Sequence, residues 1–283
     1  MTHSIRLLRK SCQSGVNTFT PQSMGSCGSS SASSQQTTPA ASQRWLPLES
    51  NPELLNEVGA KWGLPSTHGF VEVLGMDPEL LKLVPRPVAA CVFLFPCTEK
   101  IHAFRKRLMS ELSAKGRLSH DEESKRGIFF MRQHREFGNA CGTIAAIHAI
   151  TNGVRADLDG DSPLGSFASD NAGRSADDVG SALLAADGLK TASDSDASSG
   201  TAQTACPARD APPLEHHFVT FCRSAGGDVL LELDGTKPCP IDHGKTSATT
   251  FLEDAARVVQ RCFMEVEPDS IEFSMLALVR RTE

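Results

Sequence analysis

The chain has 283 residues and a net charge of −6, with 34 acidic against 28 basic side chains. That balance argues against a nucleic-acid binder, which usually presents a basic face, and no apolar run reaches the roughly 18 residues needed to cross a bilayer. Nine cysteines without C-x-x-C spacing signal neither a disulfide framework nor a zinc site, and fit reduced thiols in the cytoplasm, with the nucleus as an alternative.

Residues 1–42 are basic and Ser-rich, with Arg6, Arg9 and Lys10 beside Leu7 and Leu8 and no acidic residue before Glu49. Such a stretch has little to bury and reads as a disordered extension, either a plain solvated tail or a transit-type segment. One folded domain is expected over 43–283. Helical spacing covers 52–61, 101–115, 141–151, 176–186 and 250–263, the last with Phe251, Leu252, Ala255, Val258, Val259 and Cys262 on one face. Strand-like runs cover 70–74, 88–95, 128–132, 218–223, 229–233 and 273–279, and Gly226-Gly227 gives a hairpin signal between the fourth and fifth. Helices mixed with hairpin-like pairs suggest an α+β fold with one central sheet. Between Asn152 and Glu215 the pattern weakens. Eleven acidic residues face four basic ones there, Ser175 and Asp178 read as a capping-box-like helix start, and 190–213 has almost no large apolar side chain. A structureless segment of that size is usually functional or disordered.

Asn139-Ala140-Cys141-Gly142-Thr143 opens an apolar run through Ile144, Ile147 and Ile150. A thiol at a helix start meets free backbone N–H groups and the positive end of the helix dipole, which favour the thiolate. Cys141 also shares helical spacing with Ile144, Ala145 and His148, so it suits a buried stripe equally well. Downstream, His216-His217-Phe218-Val219 begins one strand of the hairpin and Leu231-Glu232-Leu233-Asp234-Gly235 ends the other. A histidine and an aspartate so placed can sit side by side, with the aspartate orienting the ring and the other ring nitrogen facing Cys141. This is the nucleophile–base–orienter arrangement of a cysteine hydrolase.

Several longer stretches match one family in order. They are Gln43 to Pro52, Gly75 to Leu81, Val84-Pro85-Arg86-Pro87-Val88, Leu94 to Lys100, Asn139 to Ile150, Glu232 to Pro240 with Asp242-His243-Gly244, and Leu252 to Ala255. On these the chain resembles the ubiquitin carboxyl-terminal hydrolases, papain-like cysteine deubiquitinases, and in particular their short single-domain isozymes of the L3 type. The resemblance implies a six-stranded antiparallel sheet flanked by helices on both sides, a knotted backbone, and a crossover loop at about 190–213 arching over the active site. It makes Cys141 the nucleophile, His217 the general base and Asp234 its orienter, with His217 chosen over His216 because the family's histidine directly precedes the strand Phe.

The family's oxyanion-stabilising Gln lies six residues before the Cys. Here Gln133 of Met131-Arg132-Gln133 lies eight before it, as if two residues were inserted among His134, Arg135 and Glu136. Gln133 keeps the role if the extra residues bulge outward; otherwise the chain is a weak enzyme or a non-catalytic ubiquitin binder. The resemblance also places ubiquitin contacts at Pro47, Leu48, Glu49, Ser50, Asn51 and Pro52, and at Ser270, Ile271, Glu272, Phe273, Ser274 and Met275, although Trp45 and Leu48 equally suit a core. The acidic segment would attract ubiquitin's basic tail. No cofactor or metal is implied; ubiquitin is the expected partner, NEDD8 an alternative, and the protein a monomer. Of the other histidines, His148 and His243 read as structural, and His3, His68, His102, His120 and His134 as exposed.

Overall fold

The computed structural model describes residues 44–115 and 127–281, so the readings of 1–43, His3 and His120 lie outside the described residues. In chain order the elements are α1 (Pro52–Trp62), β1 (His68–Glu72), α2 (Pro78–Leu81), β2 (Val88–Pro96), α3 (Glu99–Ala114), α4 (Cys141–Gly153), α5 (Pro163–Asp170), α6 (Ala176–Leu183), α7 (Asp187–Ala197), β3 (His216–Arg223), β4 (Val229–Leu233), β5 (Ile241–Lys245), α8 (Phe251–Val259) and β6 (Ser274–Arg280). The strands form one sheet in the order β1-β6-β2-β3-β4-β5, every neighbour antiparallel.

Side chains alternate across a strand, so an inner strand covered on both faces must be apolar throughout. The sequence of β2 meets that demand: Ala90 and Val92 enter one core, while Cys91, Phe93 and Phe95 enter the other. The first core is closed by α1 and α4, through Leu54, Val58, Ile144 and Ile147. The second is closed by α8, whose Phe251, Leu252, Ala255, Val258 and Val259 are all buried, and whose coil continues as a π-type turn over Gln260–Met264. The expected α+β architecture with helices on both faces is therefore the one observed. Helix starts follow side-chain capping. Asn51 accepts from the N–H groups of Glu53 and Leu54 ahead of Pro52, Thr98 from Ile101, and Ser175 from Asp178.

Three expectations need correction. Residues 128–132 are extended but join no sheet. Their polar groups go elsewhere: Asn152 accepts from Phe129 N (2.8 Å) and donates to Phe129 O (2.8 Å), His148 Nε2 accepts from Met131 N (3.0 Å), and Ala176 O accepts from Arg132 N (2.9 Å). The sixth strand is instead β5, whose sequence Ile-Asp-His-Gly-Lys lacks an apolar alternation because the His243 side chain is buried in a hydrogen bond with Glu232 (2.8 Å). The third concerns 152–215, which holds α5, α6 and α7. Helix α7 runs through the first part of the expected loop, so the irregular segment covers only 198–215. Helix α7 escapes an apolar pattern because Ser193 and Asp196 are among its buried residues, bonded to Thr143 (3.0 Å) and Lys61. Among the histidines read as exposed, His102 is exposed. His68 is buried, with Thr67 Oγ1 3.0 Å from its Nδ1, and His134 is half-buried, 3.0 Å from Asp177 O.

Candidate active site

Helix α4 lies on the sheet with its first turn against the start of β3. Thr220 Oγ1 donates to Ala145 O (2.6 Å), and a side chain on Gly142 would meet the Phe218 ring and Leu48 O at 3.2 Å. Its far end reaches Ala89 and Leu278. Helix and strand thus run the same way, and the first residue of α4 falls at the end of the sheet where β3 begins. That registration brings Cys141 to His217.

The residue preceding Cys141 is Ala140, which offers no side-chain cap to the first turn. The N–H groups left over go to the sulfur: Gly142 N–H, with Phe218 N–H from β3, hydrogen-bonds to Cys141. Burial pushes the thiol up, but the bond and charge of His217 together with these N–H groups outweigh it, and the Cys141 pKa lies below its ordinary value. His217 Nε2 stands 2.8 Å from Asp234 Oδ1, leaving Nδ1 for the sulfur. Burial lowers the imidazole pKa, but Asp234 and Cys141 raise it to about 10. Burial pushes the carboxyl of Asp234 up, but the charge and hydrogen bond of His217 hold it well below the usual range, with Arg105 and Lys237 contributing. A thiolate–imidazolium pair anchored on a carboxylate is the favoured charge state. His216, one residue earlier, faces Glu272 at 3.3 Å.

Asp234 is itself held. Thr236 donates to Oδ1 from its backbone N–H (2.9 Å) and hydroxyl (2.7 Å), and Lys237 N–H closes the turn on Asp234 O (2.8 Å). From the other side Arg105 Nη2 reaches Asp234 Oδ2 (2.8 Å) and Glu232 Oε1 (2.6 Å). Its guanidinium lies over the rings of Phe95 and Phe263 at 5.2 and 5.1 Å. Beyond Glu232 comes His243, so His217, Asp234, Arg105, Glu232 and His243 form one buried chain. Sequence reasoning missed Arg105 and Glu232. The signal for Arg105 was a charged side chain on the Ile101–Leu112 face of α3, where an apolar one would be expected.

The two extra residues between Gln133 and Cys141 are taken up by a 3₁₀ turn, Arg135–Phe137, with Arg135 and Glu136 exposed and Phe137 fully buried edge-on to Trp45. Gly138 ends the turn at φ +65°, a conformation that favours glycine. Gln133 is anchored beside the site: its N–H donates to Gly235 O (2.8 Å), and a Cβ on Gly235 would come within 3.2 Å of it. Its side-chain Nε2 donates to Gly138 O (3.1 Å), while its buried Oε1 has no protein partner among the described residues.

Segment 198–215 arches across this end of the sheet as a strap. Gln203 N–H donates to Glu49 (2.8 Å), Arg209 bridges Arg44 O (2.6 Å) and Asp194 (2.8 Å), and Asn139, two residues before the thiol, accepts from Leu214 N (3.2 Å). A cavity of about 180 Å³ lies beneath it, walled by Pro47, Leu48 and Glu49 on one side and Ala197, Ala202 and Cys206 on the other. Of the residues expected to contact a partner, Leu48, Asn51, Phe273 and Met275 are buried, as is Trp45; Ile271 is exposed, and Ser50 and Ser274 join the two segments at 2.8 Å.

The family described as "Ubiquitin carboxyl-terminal hydrolase, family 1" matches residues 45–265. The chain belongs to this family. It is 36% identical over 234 residues to a Drosophila melanogaster ubiquitin carboxyl-terminal hydrolase, covering 83% of this chain and 96% of that protein. To the human ubiquitin carboxyl-terminal hydrolase isozyme L1 it is 36% identical over 235 residues, with 83% and 97% covered. The fold also resembles the catalytic domain of Trichinella spiralis UCH37 in a complex with ubiquitin vinyl methyl ester. The TM-score is 0.62 at 18% identity, covering 84% of this chain and 96% of that one. The chain is accordingly a cysteine-type hydrolase. Cys141 is held against an imidazole and its pKa moves down, whereas those of Cys91, Cys97, Cys206 and Cys262 move up with burial.

Proposed function

We propose that this hydrolase releases small adducts and short peptide extensions from the C-terminal glycine of ubiquitin, with Cys141, His217 and Asp234 as its triad. The Cys141 thiolate attacks the carbonyl carbon of that glycine. The tetrahedral oxyanion accepts from the N–H at the start of α4 and from Gln133 Nε2, which exchanges Gly138 O for it. As the C–N bond breaks, the imidazolium of His217 gives its Nδ1 proton to the departing amine. Water then attacks the acyl-enzyme, His217 takes the water's proton, and the C–S bond breaks to restore the thiolate. The observation that carries this reading is the hydrogen-bonded series Cys141–His217–Asp234 at a helix start with no side-chain cap.

The rest of the site supports the same substrate. The narrow cavity under the strap, lined by alanines, suits a glycine-ended tail, and Glu49, Glu53 and Glu72 surround a neighbouring depression suited to that tail's basic residues. This relocates the acidic attraction from the strap to α1 and β1. Ubiquitin contact then falls on Glu49 and Ser50 and on the exposed Ile271 and Glu272, with Leu48, Asn51, Phe273 and Met275 supporting them from within. The enzyme acts as a monomer in the cytoplasm or nucleus.

A ubiquitin carrying a C-terminal electrophile should label Cys141, with loss of labelling in Cys141→Ala. An unlabelled wild-type chain that still binds ubiquitin would make it a non-catalytic binder. Running NEDD8 probes in parallel assigns the preferred modifier.

A further inference from the structure

A second, larger cavity of about 540 Å³ shares no lining residue with the one beneath the strap. Phe95, Cys97, Ile101, His217, Thr236 and Lys237 are among its walls, so it opens on the side of the imidazole. Cys97 there feels the charge of Cys141, which places the cavity within electrostatic range of the sulfur. If the acyl part of the substrate lies under the strap, the leaving group must sit where His217 can protonate it. His217 lines only the larger of the two cavities.

The charges in this wall are unequal in kind. Arg105, Asp234 and the His217 imidazolium are already paired: His217 with Asp234, and Arg105 with Asp234 and Glu232. Glu99 is exposed at the first turn of α3, where the helix dipole offsets it. His102 is exposed at the rim. Lys237 remains. It is half-buried, follows directly from the turn that clamps Asp234, and has no ion-pair partner among the described residues. Its field already reaches Asp234 and Cys97.

We propose that this cavity is the leaving-group subsite and that Lys237 selects leaving groups bearing a carboxylate next to the scissile bond. Such groups are single amino acids or very short extensions with a free α-carboxylate. The proposal rests on the hydrolase reading above and names the substrate class of the same site. Nothing is added to the chemistry: the C–N bond breaks, the amine takes the His217 proton, and Lys237 holds the carboxylate while both happen.

The test uses the full chain and two ubiquitins that differ only in the group after the last glycine, one ending in alanine and one in alaninamide. The readout is the ratio of their kcat/KM values, followed by mass spectrometry. Exposed ion pairs set its size, so wild type should favour the carboxylate by roughly two- to fivefold, less at high salt. In Lys237→Met the ratio should fall to about one, and in Lys237→Glu it should invert. A structural contribution of Lys237 would slow both substrates together and leave the ratio unchanged. A wild-type ratio of one, or a preference that survives Lys237→Met, overturns the subsite. Labelling of Cys141 by the electrophilic ubiquitin, which has no such leaving group, separates that outcome from failure of the hydrolase reading itself.

Discussion

Replacing Arg105 by Met tests whether the buried charge chain holds the site together. The side chain is 5% exposed and makes ion pairs of 2.8 Å to Asp234 and 2.6 Å to Glu232, both themselves buried. Met fills much of the space against Phe95 and Phe263 but leaves two carboxylates without their shared cation. Breaking a buried pair by removing one partner typically costs about 3–5 kcal/mol, because the remaining charge stays buried and uncompensated. For a domain of this size each kcal/mol lowers Tm by roughly 2–4 °C, so a drop of roughly 6–20 °C is expected by calorimetry or urea unfolding. The double variant Arg105→Met with Glu232→Gln should recover a good part of the loss, since it removes one of the two stranded charges. Arg105→Lys restores a cation but not the planar guanidinium stacked on Phe95 and Phe263, so it should recover part of the loss. An Arg105→Met protein with wild-type Tm, or a double variant less stable than wild type by the sum of the two separate losses, would refute the reasoning.

Activity should hold up to about pH 10, where His217 loses the proton it delivers, and fall on the acid side as the Cys141 sulfur is protonated. Asp234→Asn removes the charge that raises His217, so the alkaline limb of kcat/KM should move to lower pH, with a loss of activity on the order of 10²–10⁴. Acid should also destabilise the fold. Arg105 and His243 hold Glu232 down at about 2 against its burial, from an unfolded value of 4.5. Its stabilisation is therefore fully present above pH 4.5 and lost as pH falls toward 2, up to about 3 kcal/mol in urea titrations, with Glu232→Gln flattening that slope. Gln133→Ala should lower kcat about 10²–10³-fold while electrophile labelling persists at a reduced rate, and undiminished turnover would exclude Gln133 as the oxyanion donor.

Where burial is apolar the sequence announces it, and where burial is polar it does not. The inner strands β2, β3 and β6 were legible because each alternates apolar side chains between two cores, and helix α8 because it repeats them against one. Cys141, His217 and Asp234 were legible as a set because a helix start and the two ends of a hairpin are local features. The misreadings share one cause. Run 128–132 has the composition of a strand, but His148 and Asn152 of α4 and the carbonyl of Ala176 receive its hydrogen bonds in place of a neighbouring strand. Strand β5 and helix α7 are held through buried polar groups, His243 on Glu232 and Ser193 on Thr143, which no hydrophobic period records. Arg105 was hidden for the same reason: its partners lie more than a hundred residues away in sequence.

The strap and the Cys141–His217–Asp234 series draw on different orders of stabilisation. His217 and Asp234 sit on paired strands between two cores, and displacing either would break sheet bonds and the buried charges of Arg105 and Glu232. Segment 198–215 contributes no strand, and its ties are separate contacts: Thr201 to Asn51 and Glu57, Gln203 to Glu49, Arg209 to Arg44 and Asp194, Pro212 and Leu214 to Asn139, and Glu215 to Cys97. Each such bond is worth about 0.5–1.5 kcal/mol net, more where a charge takes part. Because these ties are separate, the strap can open contact by contact, whereas the residues beneath it cannot move without breaking the sheet. On the proposed function, a tail is admitted and a leaving group released while the sulfur, ring and carboxylate keep their register. Because Asn139 ties the strap two residues before Cys141, the closed state also steadies the turn that carries this thiol.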